Sequence, residues 1–205
     1  MMAAAPSPPA APVSRSASTT RAAFLDAALA QVEAHGHAEL SFRQLCRDLG
    51  ASVGAPFHHF GDRKGLLSAV ALAGYADLMP EDLPNDGTPE AVLTGLGLGL
   101  LHFAERRPNL FDLMYDRALF EGETDPQIRA YQMRGHGLIA SQLRRAWPGL
   151  DEDEVEIRTF TFWATLWGHA SLMNRQALRT FDSLALPPDM PGRIVRLAVQ
   201  SVLAP

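Results

Sequence analysis

The sequence predicts an all-α fold, in which an N-terminal three-helix helix-turn-helix domain precedes a helical C-terminal domain. Three observations carry this. Apolar residues recur at three- and four-residue spacing through the segments between Gly and Pro breaks. Ser, Thr or Asp stands ahead of most of those segments, where a helix start needs a cap. No stretch holds the period-two alternation, bounded by turn residues, that marks a half-buried strand.

Residues 1 to 17 are mainly Ala, Pro and Ser and too poor in large apolar groups to order themselves, so a flexible arm is expected there. Arg15 within it and Arg21 just beyond it give the arm a basic character that suits a phosphate backbone or a minor groove. Between Ser18 and Gly36, Phe24, Leu25, Ala28, Leu29 and Val32 repeat at helical spacing and define a first helix. Ser41 to Gln44 fits a capping box, in which the Ser hydroxyl and the Gln side chain reciprocally satisfy free amides, and opens a second helix from Phe42 to Leu49. Gly50 stops it. Ser52 then caps a third helix from Val53 to Phe60, so about three residues separate the pair. Pro56 falls on the fourth position of that third helix, where the hydrogen-bond ladder is just beginning, and a shifted or 3₁₀-like first turn is expected. Asp62 caps a fourth helix starting at Arg63, with Leu66, Leu67, Val70 and Leu72 along one side.

After a Pro/Asp/Gly-rich break from Pro80 to Gly87, Thr88 and Pro89 begin a long helix to about Arg107. Pro108 restarts a shorter one to about Leu119, and Asp125 with Pro126 opens another to Trp147. Acidic residues from Asp151 to Glu154 suit the positive end of a helix extending to about Leu178. A final helix spans Gly192 to Leu203. The expected division is therefore an arm at 1–17, a helix-turn-helix domain at 18–68 and a second, helical domain at 69–205, to which the resemblance described below gives ligand binding and dimerisation.

With 205 residues and 47% hydrophobic content, the chain can bury a substantial core. It contains no run of about 18 uncharged apolar residues, nor an N-terminal apolar stretch of the signal-peptide kind, so a cytoplasmic protein without membrane contact is expected. A single cysteine, Cys46, leaves no disulfide framework and no multi-cysteine zinc site. The net charge of −5 is unevenly distributed. Residues 1 to 68 hold six Lys/Arg against five Asp/Glu, a balance of +1, and residues 69 to 205 hold twelve against eighteen, a balance of −6. The first domain thus permits a local basic face toward phosphates.

A short helix, a tight turn and a second short helix form a DNA-reading unit when the first braces on the backbone and the second enters the major groove. Helical hairpins are common, and the spacing alone is weak. The whole stretch from Leu40 to Val70, LSFRQLCRDLGASVGAPFHHFGDRKGLLSAV, is more specific. With the first-helix run, the turn at Gly50 to Ser52, the aromatic-x-His-Phe string at Phe57 to Phe60 and the set Asp62, Lys64, Leu66 and Leu67, it resembles the N-terminal domain of TetR-family repressors over residues 18 to 75. The resemblance implies that Ser52, Val53, Gly54, Ala55, Phe57 and His58 face DNA, and that His59 and Lys64 meet phosphates. Arg43, in the first turn of the second helix, is a further contact candidate. Phe57 stands where the family usually has Tyr, which removes a phenol able to bond a phosphate. Val53, Gly54 and Ala55 offer few polar groups and suit thymine methyls, leaving His58 as the best polar base reader. Adjacent histidines without third and fourth ligands make a poor metal site, and no metal or other cofactor is expected. Cys46 occupies an inward-looking position and reads as a small buried residue.

In the second domain, residues 98 to 115 and Trp163 to Leu172 look like the ligand-binding domain of one TetR subgroup, named for a Trp-His-Gly signature. Trp163 and Gly168 match it, whereas Trp167 stands in place of the His. Candidate cavity-lining residues are His102, Phe103, Met114, Tyr115, Tyr131, Trp163 and Trp167, with His102, Tyr115 or Tyr131 orienting a flat or hydrophobic small molecule. The family pairs two copies through the last two long helices, here about Glu154 to Leu178 and Gly192 to Leu203, and the apolar residues Ile194, Leu197, Ala198, Val199, Val202 and Leu203 fit that role. The function implied is a homodimeric transcriptional repressor that a small-molecule effector releases from palindromic operator DNA. No nucleophile elbow, phosphate loop or metal-ligand set supports an enzyme. The alternatives are an effector-independent DNA-binding protein with a tightly packed second domain, which the presence of a cavity separates from the first reading, and a small-molecule-binding helical protein without a DNA function.

Overall fold

The computed structural model describes residues 20–83, 85–174 and 187–204, and every regular element among them is helical. The arm at 1–17 and the helix end expected near Leu178 lie outside the described residues.

Helix α1 spans Arg21–His35 and starts where Thr20 Oγ1 accepts the Ala23 amide at 3.2 Å. Phe24, Ala28 and Val32 form its buried side. Beyond a 3₁₀ turn at His37–Glu39 comes α2, Phe42–Asp48, with Leu49 as its C-cap rather than its last residue. Only half of the capping box forms. Ser41 Oγ accepts the Gln44 amide at 3.3 Å, but the Gln44 side chain runs along the helix to Asp48 and Arg47. The Ser41 amide instead donates to Gln31 Oε1 on α1 at 3.3 Å, a long-range bond that docks α2 onto its neighbour.

Helix α3 is Ala55–Phe60, two residues shorter at its start than expected, because Val53 and Gly54 belong to a turn closed by the Ala55 amide on the Ser52 carbonyl at 3.1 Å. That i to i+3 bond supplies the 3₁₀-like entry. It also moves Pro56 into the first helical turn, where an amide has no intrahelical partner to lose. Helix α4, Arg63–Leu78, begins with Asp62 Oδ1 accepting the Gly65 amide at 2.8 Å. The α3–α4 corner closes only on glycine at 65, since a Cβ there would stand 2.0 Å from the Phe60 carbonyl oxygen.

The second domain adds α5 (Pro89–Arg106), α6 (Pro108–Met114), α7 (Arg117–Phe120), α8 (Pro126–Ala146), α9 (Glu152–Asn174) and α10 (Met190–Leu203). The helix expected from Pro108 to Leu119 is thus two pieces. Tyr115 leaves the helical conformation at φ −115°, and the break places Asp116 Oδ2 3.0 Å from His37 Nε2 on the first domain. Helices α5, α8, α9 and α10 pack together, α4 crosses α6 and α8, and α1 rests on α6. At the α4–α6 crossing Gly74 permits an approach so close that a Cβ would lie 2.7 Å from Met114 Sδ. One continuous core runs from Phe24, Leu45, Leu66 and Val70 to Leu93, Leu110, Leu113, Phe162 and Val199; each such side chain contributes roughly 1.5–3 kcal/mol by leaving water. No break separates the parts at residue 68, because α4 passes straight through it.

The last helix departs from expectation. Val195, Ala198, Val199 and Val202 are buried, and α10 packs against α5 and α9 of the same chain, leaving Leu197 as its exposed large apolar side chain at 62%. Arg158 on α9 donates to the carbonyls of Val202 and Ala204, satisfying the end of α10. The exposed apolar stripe belongs mainly to α9, where Ile157, Ala164 and Leu172 face solvent with Thr161 and Thr165 between them.

Candidate functional site

Two regions concentrate the chemistry-bearing side chains. The first is the surface of α2, α3 and the turn between them. Ser52, Val53, Gly54, Phe57 and His58 are exposed there, with Arg43 beside them on α2. Phe57 is half exposed and sits edge-on against Phe42 with ring centroids 5.0 Å apart, which fixes α3 against α2. Ala55 is half-buried and Pro56 is buried beneath the turn.

His59 and Lys64 point elsewhere. Two positions along α3 from Phe57 is about 200° of helical rotation, and the His59 ring consequently packs 5.9 Å from the fully buried Phe24. Lys64 Nζ donates to the backbone carbonyls of Glu121 and Glu123, after α7, and is half-buried. Its neighbour Arg63 donates to the carbonyls of His37 and Ala38 at 2.6 and 3.2 Å. Arg21, expected with the arm, is the first residue of α1, and its guanidinium lies 4.9 Å over the Phe60 ring. Cys46 is buried and its thiol donates to the Ser52 carbonyl at 3.3 Å. Among the described residues no three His, Cys, Asp or Glu side chains are grouped to hold a metal ion. No described helix is long and apolar enough to cross a membrane.

The second region is a cavity of about 600 Å³ walled by α4, α5, α7, α8 and α9. Tyr115, Tyr131, Trp163 and Trp167 stand on its wall, as the sequence suggests, joined by Tyr75, Phe120, Phe160, Thr159, Gln132 and His136. Three of the candidates lie outside it. His102 is exposed, because the cavity face of α5 is Gly95, Leu96, Gly99 and Leu100 and two residues beyond Leu100 is the opposite side. Phe103 is buried in the core, with the Arg107 guanidinium 5.8 Å from its ring. Met114 is fully buried against Gly74 at the α4–α6 crossing. Tyr75 was legible as the end of the apolar stripe along α4; Phe120 was not, since nothing local announces the break at Tyr115.

The rings form two parallel pairs, Tyr75 with Tyr131 at 5.9 Å and Trp163 with Trp167 at 5.7 Å, and Tyr115 touches members of both. Tyr75 donates to the Met114 carbonyl at 2.9 Å, and burial pushes its phenol up to about 12. Burial raises the Tyr115 phenol further still, with the nearby Tyr75 adding to the effect and a hydrogen bond to Trp163 opposing it. Both stay neutral in the physiological range. His136 Nε2 lies 2.8 Å from Glu156 Oε2 at the rim. No Asp, Glu, Lys or Arg is on the wall. A second space, about 490 Å³, opens between the ends of α5, α9 and α10, where burial lowers the pKa of His169.

Two sequence profiles match the chain. Residues 24–70 match "Bacterial regulatory proteins, tetR family", and residues 93–190 match "Tetracyclin repressor-like, C-terminal domain", together more than two thirds of the chain. The chain belongs to the TetR family of transcriptional regulators. Solved TetR-like structures share its fold. A protein of unknown function from Rhodococcus sp. RHA1 is 25% identical, with a TM-score of 0.70 over 89% of this chain and 93% of that one. BioQ with its double-stranded DNA operator is 18% identical, with a TM-score of 0.66 over 91% and 99%. A TetR variant from Acinetobacter baumannii AYE in complex with minocycline is 16% identical, with a TM-score of 0.62 over 90% and 94%. No curated protein matches the chain.

Proposed function

We propose that this TetR-family regulator is a homodimeric repressor that loses its grip on a palindromic operator when a small apolar molecule enters the cavity. One observation carries the reading: α4 serves both regions. Its first turns hold the reading helix through Asp62, Gly65 and Leu66, and its last turns put Tyr75, Leu78 and Met79 on the cavity wall. A ligand that favours one position of α4 therefore favours one position of the head, which is all that a population shift requires. A second connection runs beside it. Tyr115 and Phe120 line the cavity, while the residues next to them in sequence grip the head, Asp116 through His37 and Glu121 through Lys64.

In this reading Ser52, Val53, Gly54, Ala55, Phe57 and His58 approach base edges, and Arg43 neutralises phosphate. His59 and Lys64 act on DNA by holding the head together, His59 against Phe24 and Lys64 on the carbonyls of Glu121 and Glu123. The α9 stripe with Leu197 forms the contact between two copies. The second domain is assigned to the Trp-His-Gly subgroup on Trp163 and Gly168, with Trp167 supplying an indole in place of the imidazole. Neighbours that bind an operator and minocycline, respectively, support both halves of the proposal.

The test uses the DNA upstream of the protein's own gene, a panel of apolar ligands, and the variant Gly99→Trp, which fills the cavity from a point where an added Cβ meets nothing. The wild type should bind that DNA and be released by at least one ligand, and Gly99→Trp should bind but no longer respond. Failure of the wild type to bind, or release that persists in Gly99→Trp, overturns the proposal.

A further inference from the structure

The cavity's polarity points to the chemistry of its ligand. Two polar atoms of its wall, Thr159 Oγ1 and Trp167 Nε1, are buried without a hydrogen-bond partner. Thr159 itself is only 2% exposed. A buried donor left unpaired is destabilising, and the two sit on one stripe of α9, eight residues and so about 12 Å of helix rise apart. Trp163, between them, stacks on Trp167 and lies with its ring centroid 6.0 Å from that of Tyr115.

We infer that the cavity takes an uncharged, flat, multi-ring aromatic molecule carrying an acceptor oxygen of the aryl-ketone type, which receives the Trp167 indole N–H, with the Thr159 hydroxyl as a second anchor. The inference rests on the effector reading above and narrows it to a ligand class. Aromatic side chains, Tyr75, Tyr115, Tyr131, Trp163 and Trp167 among them, supply faces for stacking in offset or edge-on geometry. An anion finds no Lys or Arg among the described residues of the wall, the one imidazole there, His136, is already engaged by Glu156 at 2.8 Å, and the two buried phenols are held neutral. A cation would gain from the ring faces, but it has no carboxylate partner on the wall and meets an indole N–H whose positive end repels it. An indole nitrogen can only donate, so the complementary group is an acceptor. A volume of about 600 Å³ lies in the range that holds drug-sized ligands.

The probes are 9-fluorenone, the same ring system without its carbonyl (fluorene), 9-fluorenone-4-carboxylate and the planar cation N-methylacridinium, titrated into the full-length protein. Fluorenone should bind about tenfold more tightly than fluorene, the size of one well-placed hydrogen bond, and more tightly than either ion. Trp167→Phe should bring that ratio to about one, whereas Thr159→Val, about 12 Å away along the helix, should leave it unchanged because fluorenone carries a single acceptor. Thr159→Val also shows that the wall folds without its unpaired hydroxyl, since exchanging it for a methyl should raise the melting temperature of the ligand-free protein. Equal affinity for fluorene, a ratio unchanged in Trp167→Phe, tighter binding of the acridinium or the carboxylate, or no binding of any probe overturns the inference. DNA release by an ion would overturn the ligand class alone, whereas wild-type protein that ignores every ligand in the release assay overturns the effector reading itself.

Discussion

At the scale of single residues, the reading surface is notable for how little polarity it offers. Val53 is 68% exposed and Phe57 half exposed, and Gly54 brings only backbone. Under the proposed reading, sequence discrimination in such a surface rests on methyl contacts and shape, with His58 as the exposed polar side chain on α3. His58→Ala should therefore change the ranking of operator variants, with each affected base pair moving by roughly 1–3 kcal/mol. Arg43→Ala should instead weaken all sequences alike and reduce the slope of log affinity against log salt by about one. Titrating both variants against a small operator library at several salt concentrations checks this, and the reverse pattern removes the assigned roles. Lys64 cautions against reading a phosphate contact from position alone. Its ammonium already donates to two carbonyls of a segment more than fifty residues away, a relation no local motif encodes.

Among elements, the helices that were legible are those with a cap and a period. Thr20, Asp62, Thr88 and Asp125 each cap a helix. Two features were not legible, and both are tertiary. Gln44 prefers partners along α2 because α1 offers Gln31 to Ser41, and the stretch after α6 leaves the helix at Tyr115, where Asp116 meets His37. The shifted first turn of α3 was legible from Pro56, and the turn in which the Ser52 carbonyl satisfies the Ala55 amide sets its extent. The apolar face of α10 was visible, but its destination was not, since periodicity cannot tell an intramolecular groove from a partner. With that face buried, the α9 stripe should carry the contact between copies. Ile157→Glu combined with Leu197→Glu should convert the dimer to a monomer in sedimentation experiments and abolish binding to a palindrome while leaving the helical content intact. A dimer that survives both changes would place the contact elsewhere.

Considered as a whole, the molecule is tied together at the domain junction by more than packing. Arg107 pairs with Glu33 on α1 at 2.6 Å and Asp77 on α4 at 2.7 Å, while Asn109 holds the Glu33 carbonyl at 2.8 Å. Global stability should also depend on pH through His169. Burial lowers its pKa in the folded chain, so the unfolded chain takes up the proton first as pH falls. Stability should consequently be unaffected by this group above the ordinary imidazole range and decline below it, with the loss complete once pH passes the folded value. The fall in melting temperature of His169→Gln between pH 7 and 5 should be smaller than that of the wild type; an equal fall would assign the acid sensitivity to other groups.

The sole thiol of the chain has a practical consequence. Cys46 is shut inside the helix-turn-helix, under the Ser52 carbonyl that begins the reading helix, so an alkylating reagent can reach it only when that domain opens. Modification kinetics under native conditions therefore gauge the opening of the head alone, against the silent background of a second domain that contains no cysteine. Whatever reaches the head from the cavity, as tightening or as loosening, is thus recorded in the rate of one covalent reaction.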